Sequence, residues 1–515
     1  GDSGVVTVDG NLTATTYANN GSITLNDLAV DGTIGLNTHG TGDATVVNDA
    51  GFQFAASSVG GNLHATATTG NMTQSGALDI EGTTTLITVA NNASITLGTA
   101  SNAFTGALII TTNDNDAAPN DTNGDVTIHG GTTALVLGNS TIDGDLTLTS
   151  TATGTAGITD TGTLNIRGTT TISASGVDVT LNSAANNFQG SIAIDGSDVI
   201  VVNAYAATDL AASTVTGTYT LTAGGLVTDS GALAITGVTT IDASSGNVTL
   251  NTTTNNFQGA VKIDGVNVTV VDAGAIDLGA STVTGTYAVT ATAGGDITDS
   301  GVLTITGAAT FTAANGQSIY LDGANTFSNT VAFSSGGTLA NVTIRDSNDF
   351  DLSALTLSGN LIATSTGGSI TDSGALAITG VTTIDASSGN VTLNTTTNNF
   401  QGAVKIDGVN VTVVDAGAID LGASTVTGTY AVTATAGGDI TDSGVLTITG
   451  AATFTAANGQ SIYLDGANTF SNTVAFSSGG TLANVTIRDS NDFDLSALTL
   501  SGNLIATSTG GSITD

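Results

Sequence analysis

The chain has 515 residues, and its 42 acidic side chains against 5 basic ones leave a formal charge of −37. A surface this acidic excludes nucleic acid and anionic membrane as partners, because both demand basic side chains. The absence of cysteine excludes a disulfide framework, a thiolate metal site and a cysteine nucleophile together.

The acidity is almost wholly aspartate, since Glu81 is the single glutamate, and aspartate favours turns over helices. With 69 Gly, one Pro, no Trp and a heavy load of Thr, Val and Asn, the composition predicts short strands joined by tight turns. An all-helical or doubly wound fold is disfavoured. At 40% hydrophobic and 9% charged, the chain is too apolar for a disordered polyanion. No apolar run approaches 18 residues, so no membrane insertion is expected in this segment. The lack of an initiating Met and of a basic leader reads as a mature or excised segment.

Internal repeats govern the reading of every local motif. Read from the start, GDSG stands at Gly1, TQSG at Thr73, TDTG at Thr159, and TDSG at Thr228, Thr298, Thr371 and Thr441. These marks divide the chain into units 1–72, 73–158, 159–227, 228–297, 298–370, 371–440 and 441–513, each with glycine in the fourth place. Residues 228–370 recur unchanged at 371–513. A second mark is Phe188, Phe257, Phe327, Phe400 or Phe470 at the thirtieth place of a unit, with Phe104 two places later in the second.

That second unit is the longest. Its extra text lies around Thr111–Asp125 and holds the only proline, Pro119. Hard cations take roughly six to eight oxygen ligands, so Asp114, Asp116, Asp121 and Asp125 are the candidate calcium ligands; a solvated excursion is the alternative. No other cofactor is expected.

Within the unit at 228–297 the signal is period two: Leu233/Ile235, Val248/Leu250, Val261/Ile263, Val268/Val270 and Ile276/Leu278 alternate with polar residues between Gly, Asn or Asp. These residues, their copies Leu376, Ile378, Val391, Leu393, Val404 and Ile406, and Phe257 with Phe400 form the expected core. Gly231, Gly259 and Gly285 open segments alike and suggest about three coils per unit, each of about 23 residues. Strands this short, with no helices between them, predict an all-β fold: a right-handed parallel β-helix, or β-solenoid, in which alternating apolar residues stack as ladders. About 22 coils at ~4.8 Å give a rod of roughly 105 Å. The rival is a string of tandem sandwiches, disfavoured because a sandwich needs ~100 residues.

The series ITDSGALAITGVTTIDASSGNVTLN…NNFQGAV resembles the β-strand repeats of giant bacterial surface proteins of the filamentous-haemagglutinin and large-adhesin type, over essentially the whole chain. The resemblance implies export to the exterior of a Gram-negative-like bacterium and a role as the shaft of a cell-surface filament, fibre or adhesin. It also implies self-association, end to end or laterally. Two other functions remain open: an adhesin that itself binds carbohydrate or another cell surface, and a polysaccharide-processing β-helix enzyme. The verbatim copying weighs against catalysis, since a cleft is a singular departure from a repeat. His39, His64 and His129 do not recur in phase, and no nucleophile or metal-protease motif is present.

The remaining polar marks have plain readings. The TDSG aspartates Asp229, Asp299, Asp372 and Asp442 are read as Asx-type turns capped by glycine. Lys262 is read as the partner of Asp264, and Arg345 and Arg488 as balancing Asp346 and Asp489. Thr-x-Thr pairs such as Thr147/Thr149 fail to return on every coil, which argues against an ice-binding face.

Overall fold

The computed structural model describes residues 4–113, 123–153, 157–243, 245–386 and 388–515. Every regular element among them is a strand, and neighbouring strands pair in parallel. The chain divides into two compact units, Gly1–Gly259 and Ala260–Asp515, and each is a parallel β-solenoid. Inward residues stack at one-turn intervals, as in the ladder Ile370, Val391, Val411, Tyr430, Ala452 and Val474. Val474 then bridges to Leu495, and its neighbour Phe493 pairs with Ile513. Ile370 to Ile513 is therefore seven turns, about 20 residues each.

The core is the one expected from period two: Leu233, Ile235, Val248, Leu250, Val261, Ile263, their copies, Phe257 and Phe400 are all buried. Each turn has two sides. A side is formed either by one straight strand, such as Thr382–Ala386, or by two three-residue strands meeting at a bend, such as Ile370–Asp372 and Leu376–Ile378. Bent segments come in stacks of three. In the second unit, the bends beginning at Phe350, Ile370 and Val391 stack on one side, and those beginning at Ile419, Ile440 and Ile462 stack on the other.

The first unit follows the same rule. Its bends at Phe52, Met72 and Ile95 lie on one side, and those at Leu135, Ile158 and Val179 on the other. Those at Ala207, Leu226 and Val248 return to the first side.

The alternation is a matter of parity. One repeat contains seven half-turn segments, three bent and four straight, so it makes three and a half turns and hands the next repeat the opposite side. The expected count of about three coils resolves to this value. The surplus length of the sequence unit 73–158 adds no turn: Val126 pairs directly with Ile95 one turn before it.

Glycine in the fourth place of TDSG has a steric cause. A Cβ on Gly374 would stand 2.2 Å from the backbone nitrogen of Ala354 in the preceding bend, a distance no side chain tolerates. Gly76, Gly162, Gly231, Gly301 and Gly444 meet the preceding bend in the same way. None of these glycines has a positive φ, so close approach of one bend to the next fixes the residue.

Candidate functional site

A bend breaks the regular exchange of N–H and C=O between turns, and buried backbone groups left over must find other partners. Side chains of the bent stacks supply them. In the middle bend the N–H of Leu376 donates to Asn398 Oδ1 of the next turn at 2.8 Å, and Asn398 Nδ2 donates to Asp372 at 2.7 Å. Asp372 also accepts the backbone N–H groups of Asn394 and Thr395. One turn further, Asp415 accepts the N–H of Phe400 at 2.7 Å. Asp, Asn and Asp thus stand in one column on successive turns.

The column recurs as Asp299, Asn325 and Asp346 and as Asp442, Asn468 and Asp489. In the first unit it appears as Asp160, Asn186 and Asn203. The TDSG aspartates are therefore inter-turn caps; their carboxylates reach forward to the following turn, where the sequence suggested a local Asx turn.

Burial raises the carboxyl of Asp346 to about 6 against the pull of backbone N–H groups from Phe327 and Asn348. Asp299, Asp415, Asp442 and Asp489 are raised for the same reason. At exposed corners the situation reverses. Asp198 is held below the usual range by the N–H and hydroxyl of Thr218. Such corner caps form ladders of their own: Asp125 Oδ1 accepts the N–H of Asp145 at 2.9 Å, and Asp145 accepts that of Thr169 at 2.6 Å. Much of the aspartate and asparagine excess is spent in this way.

Of the four candidate calcium ligands, only Asp125 lies among the described residues, where it caps the corner below Asp145; Asp114, Asp116 and Asp121 lie outside them. Among the described residues no group of three or more His, Asp or Glu side chains could hold a metal ion.

The basic residues depart from their expected partners. Asp264 accepts the N–H of Thr282 at 2.7 Å, while the stem of Lys262 lies over Gly279, whose missing side chain leaves the room. Asp346 points inward to Phe327 and Asn348, with Arg345 on the outer side of the same strand. Alternation along the strand separates the two. Arg167 does meet an acid, Asp143, at 3.9 Å. His129 Nδ1 accepts the N–H of Gly131 at 3.0 Å, and His64 stands 3.5 Å from Thr66 Oγ1.

Shallow grooves mark the start of bent stacks. Ser328, Asn329, Thr330, Asp349, Phe350, Asp351, Ser369 and Thr371 line one of about 440 Å³. Its copy is lined by Ser471, Asn472, Thr473, Asp492, Phe493, Asp494 and Thr514. Sequence patterning gave no signal for these grooves, because they arise where a straight strand meets a bent one.

Comparison with known families finds the same repeat. A family described as repeats of unknown function (DUF5649) matches residues 41–111, 123–195, 196–264, 265–334, 339–407, 408–477 and 482–515. The chain belongs to this family. No curated protein matches it. Each of the six longer DUF5649 matches encloses one complete stack. A DUF5649 repeat opens at residue 196 where TDSG stands at Thr228, so TDSG marks the middle bend of the repeat. No helix of the described residues is long and apolar enough to cross a membrane.

Proposed function

We propose that this chain is a non-enzymatic structural shaft, displayed outside a bacterial cell as part of a filament, fibre or adhesin. The observation that carries the proposal is the identity of residues 228–370 and 371–513, two successive repeats copied without change. Each added turn contributes one more row of inter-strand hydrogen bonds and one more layer of Val, Ile and Leu, so length grows without a new fold. Copying of this kind conserves spacing and surface; it creates no singular cleft. The resemblance to repeats of filamentous-haemagglutinin type supports the extracellular setting. Dense aspartate keeps neighbouring shafts apart at low salt and leaves lateral association open to screening by salt or divalent cations.

The test is immunogold labelling of intact cells that produce the native protein, with antibody raised against Ala260–Asp515. Label along surface fibres or a surface coat is expected. Label confined to the cytoplasm of sectioned cells would remove the extracellular shaft from consideration.

A further inference from the structure

We propose that the groove at the start of a bent stack, where its first bend opens on an aromatic residue, is a binding site for a neutral, hydroxyl-rich saccharide. This goes beyond the shaft reading: a shaft that bound no saccharide would still be a shaft.

Three grooves carry the argument, and they occupy equivalent places. In the second unit Val331–Leu352 is the single register pair between a straight strand and the bend that follows. Phe350 and Asp351 pair onward with Ile370 and Thr371, and a notch opens beside the corner at residues 328–330. The copy 143 residues later has a volume of about 360 Å³. In the first unit a groove of about 340 Å³ includes Phe52, Gln53, Asn71 and Thr73, which hold the places of Phe350, Asp351, Ser369 and Thr371. The aromatic at the base is particular to these three stacks; the others carry Leu135, Thr208, Ile276 and Ile419 there.

The chemistry of the lining selects the ligand. Asp351 accepts the hydroxyl of Thr371 at 2.9 Å and that of Ser373, while Asp349 accepts the N–H of Ser369. These bonds fix the carboxylates at a partly exposed surface, and each retains lone pairs to accept further hydroxyls. No basic side chain lines any of the three grooves, so phosphate, sulfate and uronate ligands meet carboxylates and no counter-charge.

Gln53 stands where the other grooves have Asp351 and Asp494. What the position keeps is multiple hydrogen-bond acceptance; the charge changes. That points to a polyol rather than a cation. Two grooves seven turns apart on one side of the second unit are separated by about 34 Å, which suits several weak contacts to one polymer.

Affinity electrophoresis tests the proposal on the whole chain. The probes are dextran, galactomannan, xylan and a mixed-linkage β-glucan, with polygalacturonate and poly-L-lysine as anionic and cationic controls. Retardation by at least one neutral polymer is expected, falling at least fivefold in the Gln53→Ala, Asp351→Ala, Asp494→Ala triple variant. Should that variant melt early, Asn329→Ala with Asn472→Ala, both at exposed corners, alters the two grooves of the second unit and should also diminish the retardation. Failure of every neutral polymer to retard the chain overturns the site. So does retardation by poly-L-lysine alone, or retardation that neither folded variant diminishes.

Discussion

At the scale of single residues the interior holds stressed polar groups, and two kinds of them can be tested by substitution. The hydroxyls of Thr84, Thr170, Thr239 and Thr382 are buried without a hydrogen-bond partner, each at the first inward position of a straight strand. Threonine there serves as a β-branched filler, and its hydroxyl is a cost. Thr382→Val should therefore stabilise the chain by about 1 kcal/mol, seen as a higher urea midpoint; an unchanged or lower midpoint would show that the hydroxyl has a partner.

Asp346 is the second kind. Its folded-state value, pushed up to about 6 by burial, exceeds that of an unfolded aspartate near 3.9. The folded chain binds this proton more tightly, so the destabilisation is full above about pH 6 and fades as pH falls toward 4. Asn203 holds the corresponding place in the first unit and accepts the N–H of Phe188 at 3.0 Å, so an amide fits the column. Asp346→Asn should raise the melting temperature at pH 7.5 and reduce the gain that the unsubstituted chain shows on acidification to pH 5. Identical pH slopes for the two proteins would contradict a buried, titrating carboxyl.

At the scale of the element the bend is the unit of design, and it was only half legible. The marks TDSG and Phe, the short strands and the inward residues all stand out in the sequence, because period two and verbatim repetition are local properties. The role of Asp372 does not stand out, since its partners Asn394, Thr395 and Asn398 lie one turn away. Two substitutions separate capping from close packing. Asn398→Ala leaves the N–H of Leu376 and the carboxylate of Asp372 without their shared partner, at a cost of about 2–3 kcal/mol. Native-state hydrogen exchange should show the Leu376 amide losing protection while turns remote from it keep theirs. Gly374→Ala forces a methyl against the backbone of Ala354 and should destabilise by at least as much, with protection lost across both bends.

At the scale of the whole molecule, parity makes a prediction of its own. Removing residues 371–440 joins Ile370 to Thr441 and rebuilds an intact ITDSG. The excision takes out one repeat, three and a half turns, and leaves every bend stacked on a bend. Circular dichroism and melting temperature should remain those of the parent. Removing residues 371–420 joins Ile370 to Leu421 out of register, and the product should melt many degrees lower. Equal stability of the two products would mean that the stacks of three carry no register information.

The sequence by itself determined the all-β class, the solenoid, the seven repeats and the inward set from Leu233 to Ile406, because alternation, composition and self-similarity are written along one strand at a time. Tertiary structure alone decided that a repeat is three and a half turns, that consecutive stacks lie on alternate sides within each unit, and that aspartates cap the turn ahead. It also decided where grooves open. All four depend on which residues one turn apart come to lie side by side, and that is set by closure of a turn about 20 residues long, a length that the spacing of glycines and TDSG motifs does not reveal. Arg345 and Asp346 mark the boundary between the two kinds of knowledge. Adjacent in sequence and opposite in charge, they invite pairing; the strand's alternation sends one outward and the other into a column of backbone N–H groups supplied by its neighbouring turn.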